Sequence, residues 1–274
     1  MIISAGLLII SYLSIYVNPA KAWFMTIFGL LFYPLLLVNV LLLVWALLRR
    51  SKAVMIPLVA LIPTLLIFGK FFRFSTSRDD TSKGLKIVSY NVGRFALSQG
   101  VTFSSRKECA DSIMAFLRAG DADIICLQEV YVQNKERVLS YLSRQMKGYD
   151  IQYYVNVNKY GSCGNVTFSR YPALSKGHID FEHSSNMALY SDYCIGGDTL
   201  RVYNCHFESY NISLSRLATG LEKDYKKAVK DTEEKMRRSI VRRPRQVEQV
   251  LKDIENCREN VIVTGDFNDT PMSY

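Results

Sequence analysis

The sequence predicts an α/β domain of mixed β-sheets with helices outside, carried behind an apolar helical segment. Three observations predict it. From Leu85 onward, short apolar runs alternate with stretches of helical periodicity. Several of the runs follow one another with no helix between, which requires mixed rather than purely parallel sheets. Four of the runs end in a side chain capable of chemistry: Asn91, Glu129, His206, and Asp266 with Asn268 close behind. The first quarter of the chain, by contrast, is three long apolar runs with almost no acid.

Those runs are Ile2–Val17, Ala22–Leu48 and Ala53–Phe72. A helix needs about 20 apolar residues to cross a bilayer, so the third qualifies and the second is long enough to span with tilt. The first is shorter and open to two readings. Ala20-Lys21-Ala22 offers an A-x-A-like signal-peptidase site, but no basic residues precede the run and two spans follow it, which favours a further span. Residues 1–73 are thus expected to form a membrane segment of two or three transmembrane helices, with the lipid bilayer as partner. Arg49, Arg50 and Lys52 between the second and third spans place that loop in the cytoplasm and everything after Phe72 outside it. Lys70, Arg73, Arg78 and Lys83 pull the other way. The polar stretch 74–84 (FSTSRDDTSKG) has no periodicity and reads as a linker to a domain spanning residues 85–274.

Charge narrows the partners. Residues 1–84 carry eight Lys/Arg against two Asp, whereas residues 85–274 carry 26 basic against 23 acidic. The basic pI therefore comes mostly from residues flanking apolar runs, and nucleic acid is a possible but not a favoured substrate. The charged run Glu222–Arg245 holds five acids among ten bases, which suits a solvated helix face better than a phosphate-binding stripe. None of the six cysteines forms a C-x-x-C pair, which argues against structural zinc. Cys126 and Cys205 lie within apolar runs as buried thiols, while Cys163 and Cys194 are candidates to pair if the domain is extracytoplasmic.

Taken in order, strands are expected at Leu85–Tyr90, Asp123–Leu127, Tyr149–Val155, Gly164–Ser169, Met187–Ile195, Thr199–Cys205 and Val261–Thr264. Helices are expected at Ser104–Ala119, at Lys135–Met146 and over Ile212–Asn256, where Val247, Val250, Leu251 and Ile254 make one stripe. His178 and His183 fall in an expected loop. After Val261–Thr264, Gly265 permits close backbone approach. Asp266 and Asn268, two residues apart, then project to one side of an extended segment; an Asx-capped turn is the alternative. A carboxylate with a carboxamide suits Mg²⁺, a hard ion that retains water and takes phosphate oxygens. A second carboxylate can orient and deprotonate a water, and a histidine can donate to a phosphate oxygen.

Four stretches carry a resemblance: SYNV (Ser89–Val92), LQEV (Leu127–Val130), YNCHFES (Tyr203–Ser209) and GDFND (Gly265–Asp269). In this order and rough spacing the chain from Leu85 onward resembles the endonuclease/exonuclease/phosphatase superfamily of metal-dependent phosphoesterases. The resemblance implies a four-layer α-β-β-α sandwich of two mixed sheets. It implies Glu129 as the main Mg²⁺ ligand (Mn²⁺ being possible) with Asn91 beside it, Asp266 aligning or deprotonating the attacking water, and His206 and Asn268 holding the scissile phosphate. Gly164–Pro172 (GNVTFSRYP) resembles the stretch that brings an arginine to a phosphate in deoxyribonuclease members, which makes Arg170 a phosphate contact.

The superfamily's motifs continue past GDFN to an acidic residue and a late Asp-His pair, and here the chain ends at Tyr274. The expectation is a fragment of a longer protein, or else a degenerate member with poor turnover. Functionally, the sequence points to a membrane-anchored, Mg²⁺-dependent hydrolase of phosphodiesters or phosphomonoesters. Its position at the bilayer favours lipid head groups or inositol phosphates. The alternative is a non-catalytic, membrane-tethered module that binds phosphorylated ligands.

Overall fold

The computed structural model describes residues 1–72, 84–95, 103–132, 134–158, 161–210, 212 and 214–274. The expected linker lies outside them except for Gly84. The chain divides into two compact units, one of residues 1–81, 209–245 and 269–274, the other of residues 82–208 and 246–268.

The first unit contains α1 (Ile2–Leu13), α2 (Phe24–Leu30), α3 (Phe32–Leu48) and α4 (Met55–Phe71). Leu8, Tyr12, Phe32 and Ala60 pack at its centre with Met272 from the chain's far end. Polar groups there are satisfied internally: the Tyr12 hydroxyl donates to the Ala60 carbonyl at 3.0 Å, and Asn39 Nδ2 donates to the Ser4 and Leu35 carbonyls. Asp269 is shared by Arg243, the Tyr210 hydroxyl and the Ser273 hydroxyl. The second apolar run is not the single helix expected. It breaks at Leu31 into α2 and α3, bent by 52°. Pro34 sits in the first turn of α3, and its ring would clash with the carbonyl four residues back, so a continuous helix is not available. Among the described residues one helix, over Lys52–Gly69, is long and apolar enough to cross a membrane, and the bent pair would supply a second span if counted as one.

The second unit holds two mixed four-stranded sheets. Sheet one contains β1 (Ile87–Asn91), β2 (Ile124–Val132), β3 (Asp150–Asn158) and β4 (Gly161–Ser169) in the order β1-β2-β4-β3. Sheet two contains β5 (Ala173–Asp180), β6 (Met187–Ile195), β7 (Asp198–His206) and β8 (Asn260–Asp266), in chain order. One pair in each sheet is parallel, β1 with β2 and β7 with β8. These pairings carry all four candidate strand ends to matching ends of their pairs. Outside sheet one, Met114 and Leu117 of α5 (Phe103–Ala119) and Leu142 of α6 (Lys135–Gln145) pack on Ile125, Leu127, Val166 and Phe168. Outside sheet two, Val247, Val250 and Ile254 pack on Tyr203, Cys205 and Phe207. They belong to the last turns of α8 (Tyr225–Glu255), which follows α7 (Leu214–Lys223). Three of the four residues of the stripe read from the sequence make this contact, while Leu251 is 50% exposed; the layers are those of the expected sandwich.

β5 was expected as loop. Its residues ALSKGHID are mostly exposed, so it lacks the apolar alternation that marks a strand. It pairs nonetheless with β6, and the Tyr190 ring lies over Gly177, where a Cβ would come 2.2 Å from Tyr190 Cζ. His178 therefore lies on a strand, stacked on Tyr154 at 3.8 Å between ring centroids. All six cysteines are free, with Cys126 and Cys205 buried as expected.

Candidate active site

Along each inner strand, alternate side chains face the helices or the space between the sheets. Ile125 and Leu127 of β2 face the helices; Ile124 and Cys126 face inward. On β7, Tyr203 and Cys205 face α8 while Val202 faces inward. Followed toward their C-terminal ends, the inward faces turn polar: Ile124, Cys126, Gln128 on one sheet, and Val202, Asn204, His206 on the other. The buried polar layer is closed on itself. Gln128 Nε2 donates to Asn204 Oδ1 at 2.7 Å. Asn204 Nδ2 donates to the Leu127 and Val166 carbonyls at 3.2 and 3.0 Å and to the Thr167 hydroxyl at 3.2 Å. The site lies beyond this layer.

Strict alternation would send Glu129, like Ile125 and Leu127, toward the helices. A β-bulge prevents it. The β2–β4 register steps from Leu127↔Val166 to Val130↔Gly164, so two residues of β2 oppose one of β4. Glu129 takes a left-handed backbone at φ 54°. The bulge rotates its carboxylate off the helix face, and such a conformation costs a non-glycine residue about 1–3 kcal/mol. The strain is matched by what it assembles.

Asn91 Nδ2 donates to Glu129 Oε1 at 3.0 Å and to Asp266 Oδ2 at 2.7 Å, bracketing carboxylates from the two sheets. Its oxygen accepts from Gly93 N–H at 2.9 Å. That turns the one atom suited to ligating a metal, as the sequence reading had it, away from the carboxylates. His206, paired in register with Asp266, brings Nε2 to 3.7 Å from Glu129 Oε1. Burial holds its pKa below the ordinary histidine value, against the opposing pull of Glu129, Asp266 and Glu208. The imidazole is therefore neutral at neutral pH, and Nε2 is buried without a hydrogen-bond partner. Ligand atoms of Glu129, His206 and Asp266 all lie within 4.8 Å of one another. Two carboxylates this close together fit a divalent cation, and the unpartnered imidazole nitrogen lies at the same point.

Asn268 does not extend the strand. At φ 52° it forms an Asx turn, its N–H donating to Asp266 Oδ1 at 2.9 Å and its Nδ2 to the Phe207 carbonyl at 2.9 Å. Just before Asp266, Gly265 adopts φ 142°, and a Cβ there would lie 1.9 Å from the Cys205 carbonyl oxygen. Gly265→Ala is expected to cost roughly 2–5 kcal/mol, from overpacking plus backbone strain. A lowered midpoint in thermal unfolding would show it, and an unchanged midpoint would contradict the β7–β8 register.

Arg170 is not in this cluster. It follows β4 at the end where Ser169 pairs with Ile124, about 16 Å along β2 from Glu129 at about 3.3 Å per residue. There it engages Asp121 and lies over the Tyr149 ring. The motif's local sequence was suggestive, but an antiparallel β4 carries its last residue to the wrong end of the sheet. Conversely, sequence reasoning passed over Arg94, whose Nε is 3.8 Å from Glu129 Oε2. Its position three residues after a strand end was the only local signal.

A model of the Endonuclease/Exonuclease/phosphatase family matches residues 88–274. A second family model, described only as a domain of unknown function, matches residues 1–71. No curated protein matches. Among solved structures, a D. rerio TDP2 humanized by 14 mutations is 19% identical, with 68% of this chain and 63% of that chain covered and a TM-score of 0.45. The human Nocturnin catalytic domain with bound sulfate is 17% identical, with coverages of 69% and 66% and a TM-score of 0.45. ANGEL2, a 2',3'-cyclic phosphatase in complex with adenosine-2',3'-vanadate, is 20% identical, with coverages of 58% and 43% and a TM-score of 0.39. The chain spans less than two thirds of the length of the TDP2 chains it matches, from 48% to 63%.

Proposed function

Because the chain belongs to the endonuclease/exonuclease/phosphatase family, we propose that it is a membrane-anchored, Mg²⁺-dependent hydrolase of phosphate esters. One observation carries the reading: strands of both sheets deliver Glu129, Asp266 and His206 to one point, with His206 Nε2 buried and unpartnered. Glu129 is the principal holder of the cation, and Mn²⁺, which takes the same oxygen ligands, is an acceptable substitute. When bound, the cation neutralises charge on the phosphate and polarises a water.

The chain's own groups do the rest. Asn91 holds the Glu129 and Asp266 carboxylates at a fixed separation. Asp266, steadied by the Asn268 N–H, orients the water and takes its proton. The water oxygen bonds to phosphorus as the ester P–O bond breaks. His206, in its Nε2–H form, donates to a phosphate oxygen as charge builds there, and Asn268 shapes the turn that faces it. The exposed apolar helix α4 supports anchoring of residues 1–73 in a bilayer. Arg49, Arg50 and Lys52 favour an extracytoplasmic domain, which protease added to intact cells would then reach.

The test is hydrolysis of p-nitrophenyl phosphate and bis-p-nitrophenyl phosphate by the full chain in detergent. Activity is expected with Mg²⁺ or Mn²⁺, lost on chelation and restored by either ion. Phosphate binding without turnover in either metal would instead establish the non-catalytic module.

A further inference from the structure

We propose that Arg94 is the arginine that grips the substrate phosphate in this site. The inference rests on the phosphoesterase reading and adds a substrate contact to it. The carboxylate of Glu129 is divided between two sides. Oε1 faces Asn91 Nδ2 and His206 Nε2, while Oε2 faces Arg94 Nε at 3.8 Å. That distance is too long for a hydrogen bond, and the Arg94 side chain is 63% exposed, so its guanidinium fork is available to an incoming anion.

The backbone makes this placement deliberate. Gly93, Arg94 and Phe95 are three successive left-handed residues, at φ 53°, 60° and 54°. Three hydrogen bonds hold the turn. Val92 N–H donates to the Gln128 carbonyl, Gly93 N–H to Asn91 Oδ1, and Phe95 N–H to the Val92 carbonyl. Phe95 itself is buried among side chains of α5 and sheet one. A strained backbone held by three hydrogen bonds under a loosely held charged side chain fits pre-organisation for a ligand. Other arginines are otherwise engaged: Arg106 lies over the Tyr131 ring at 4.5 Å, and Arg170, at the far end of β4, is on Asp121. Among the described residues, Arg94 is the one arginine or lysine in ion-pair range of Glu129.

Charge accounting points the same way. A divalent cation balances Glu129 and Asp266, so the charge brought by a phosphate ester needs a further positive group, and a guanidinium can take two of its oxygens at once.

The test is binding of inorganic phosphate to the full chain in detergent with Mg²⁺, by calorimetry, together with hydrolysis of the two p-nitrophenyl esters. Arg94→Ala is expected to weaken phosphate binding by about 10–100-fold and to raise KM more than it lowers kcat. Arg94→Lys should retain part of the affinity, since a point charge replaces the fork. Arg137→Ala, on the exposed face of α6, should match wild type, and all variants should melt together. Unchanged phosphate affinity and KM in an active Arg94→Ala protein would overturn the assignment while leaving the hydrolase reading intact. A wild-type protein that neither binds phosphate nor hydrolyses an ester would overturn both.

Discussion

Replacing Glu129 by glutamine is expected to abolish metal-dependent ester hydrolysis, with kcat falling at least about a thousandfold. Glutamine keeps the shape, so it can still meet Asn91 and fit the left-handed bulge, but it removes the charge that would attract a divalent cation. The variant should therefore fold as wild type does and fail to take up Mg²⁺ or Mn²⁺ in a calorimetric titration. Asp266→Asn should lose turnover as severely while affecting metal affinity less, because Asp266 is assigned to the water. It should also disturb the Asn91 bracket, which donates to both carboxylates. Turnover surviving both substitutions would show that the chemistry is elsewhere. The Glu129 result is the sharper one, since the carboxylate reaches the site only through the bulge.

Asn204→Ala should produce a large loss of stability, about 2–4 kcal/mol. Asn204 is fully buried, and its side chain makes four hydrogen bonds across the space between the sheets. Alanine would leave a cavity lined by the Gln128 amide, two strand carbonyls and the Thr167 hydroxyl. Gln128 Nε2 would keep its bonds to Ser89 Oγ and the Cys126 carbonyl, but the other groups would lose a buried partner, which costs more than the bond was worth. For a unit of this size the expected fall in melting temperature is roughly 5–15 °C. His206 lies two residues further along the same face of β7, so activity should fall below what stability alone accounts for. A melting temperature within a degree of wild type would mean the polar layer can be rehydrated or collapse without cost.

Local chemistry in the chain determined much of this protein. Apolar runs of strand length, the helical stripe Val247–Ile254 and polar residues at four strand ends were readable because each depends on side-chain period or on near neighbours. Asn91, Glu129, His206 and Asp266 were identified as a group on that basis, and the structure brings all four together. What the tertiary structure decided was everything that depends on pairing. Only the β2–β4 register reveals the bulge that turns Glu129 inward, and only an antiparallel β4 shows Arg170 leaving the site. Only the pairing with β6, which lays the Tyr190 ring over Gly177, reveals the strand β5 that its residues do not advertise. Arg94 belongs with these: its left-handed turn is held by bonds to Asn91 and Gln128, from two different strands, so no window of sequence contains the reason for its position. Periodicity is written along one strand, whereas direction and register belong to two.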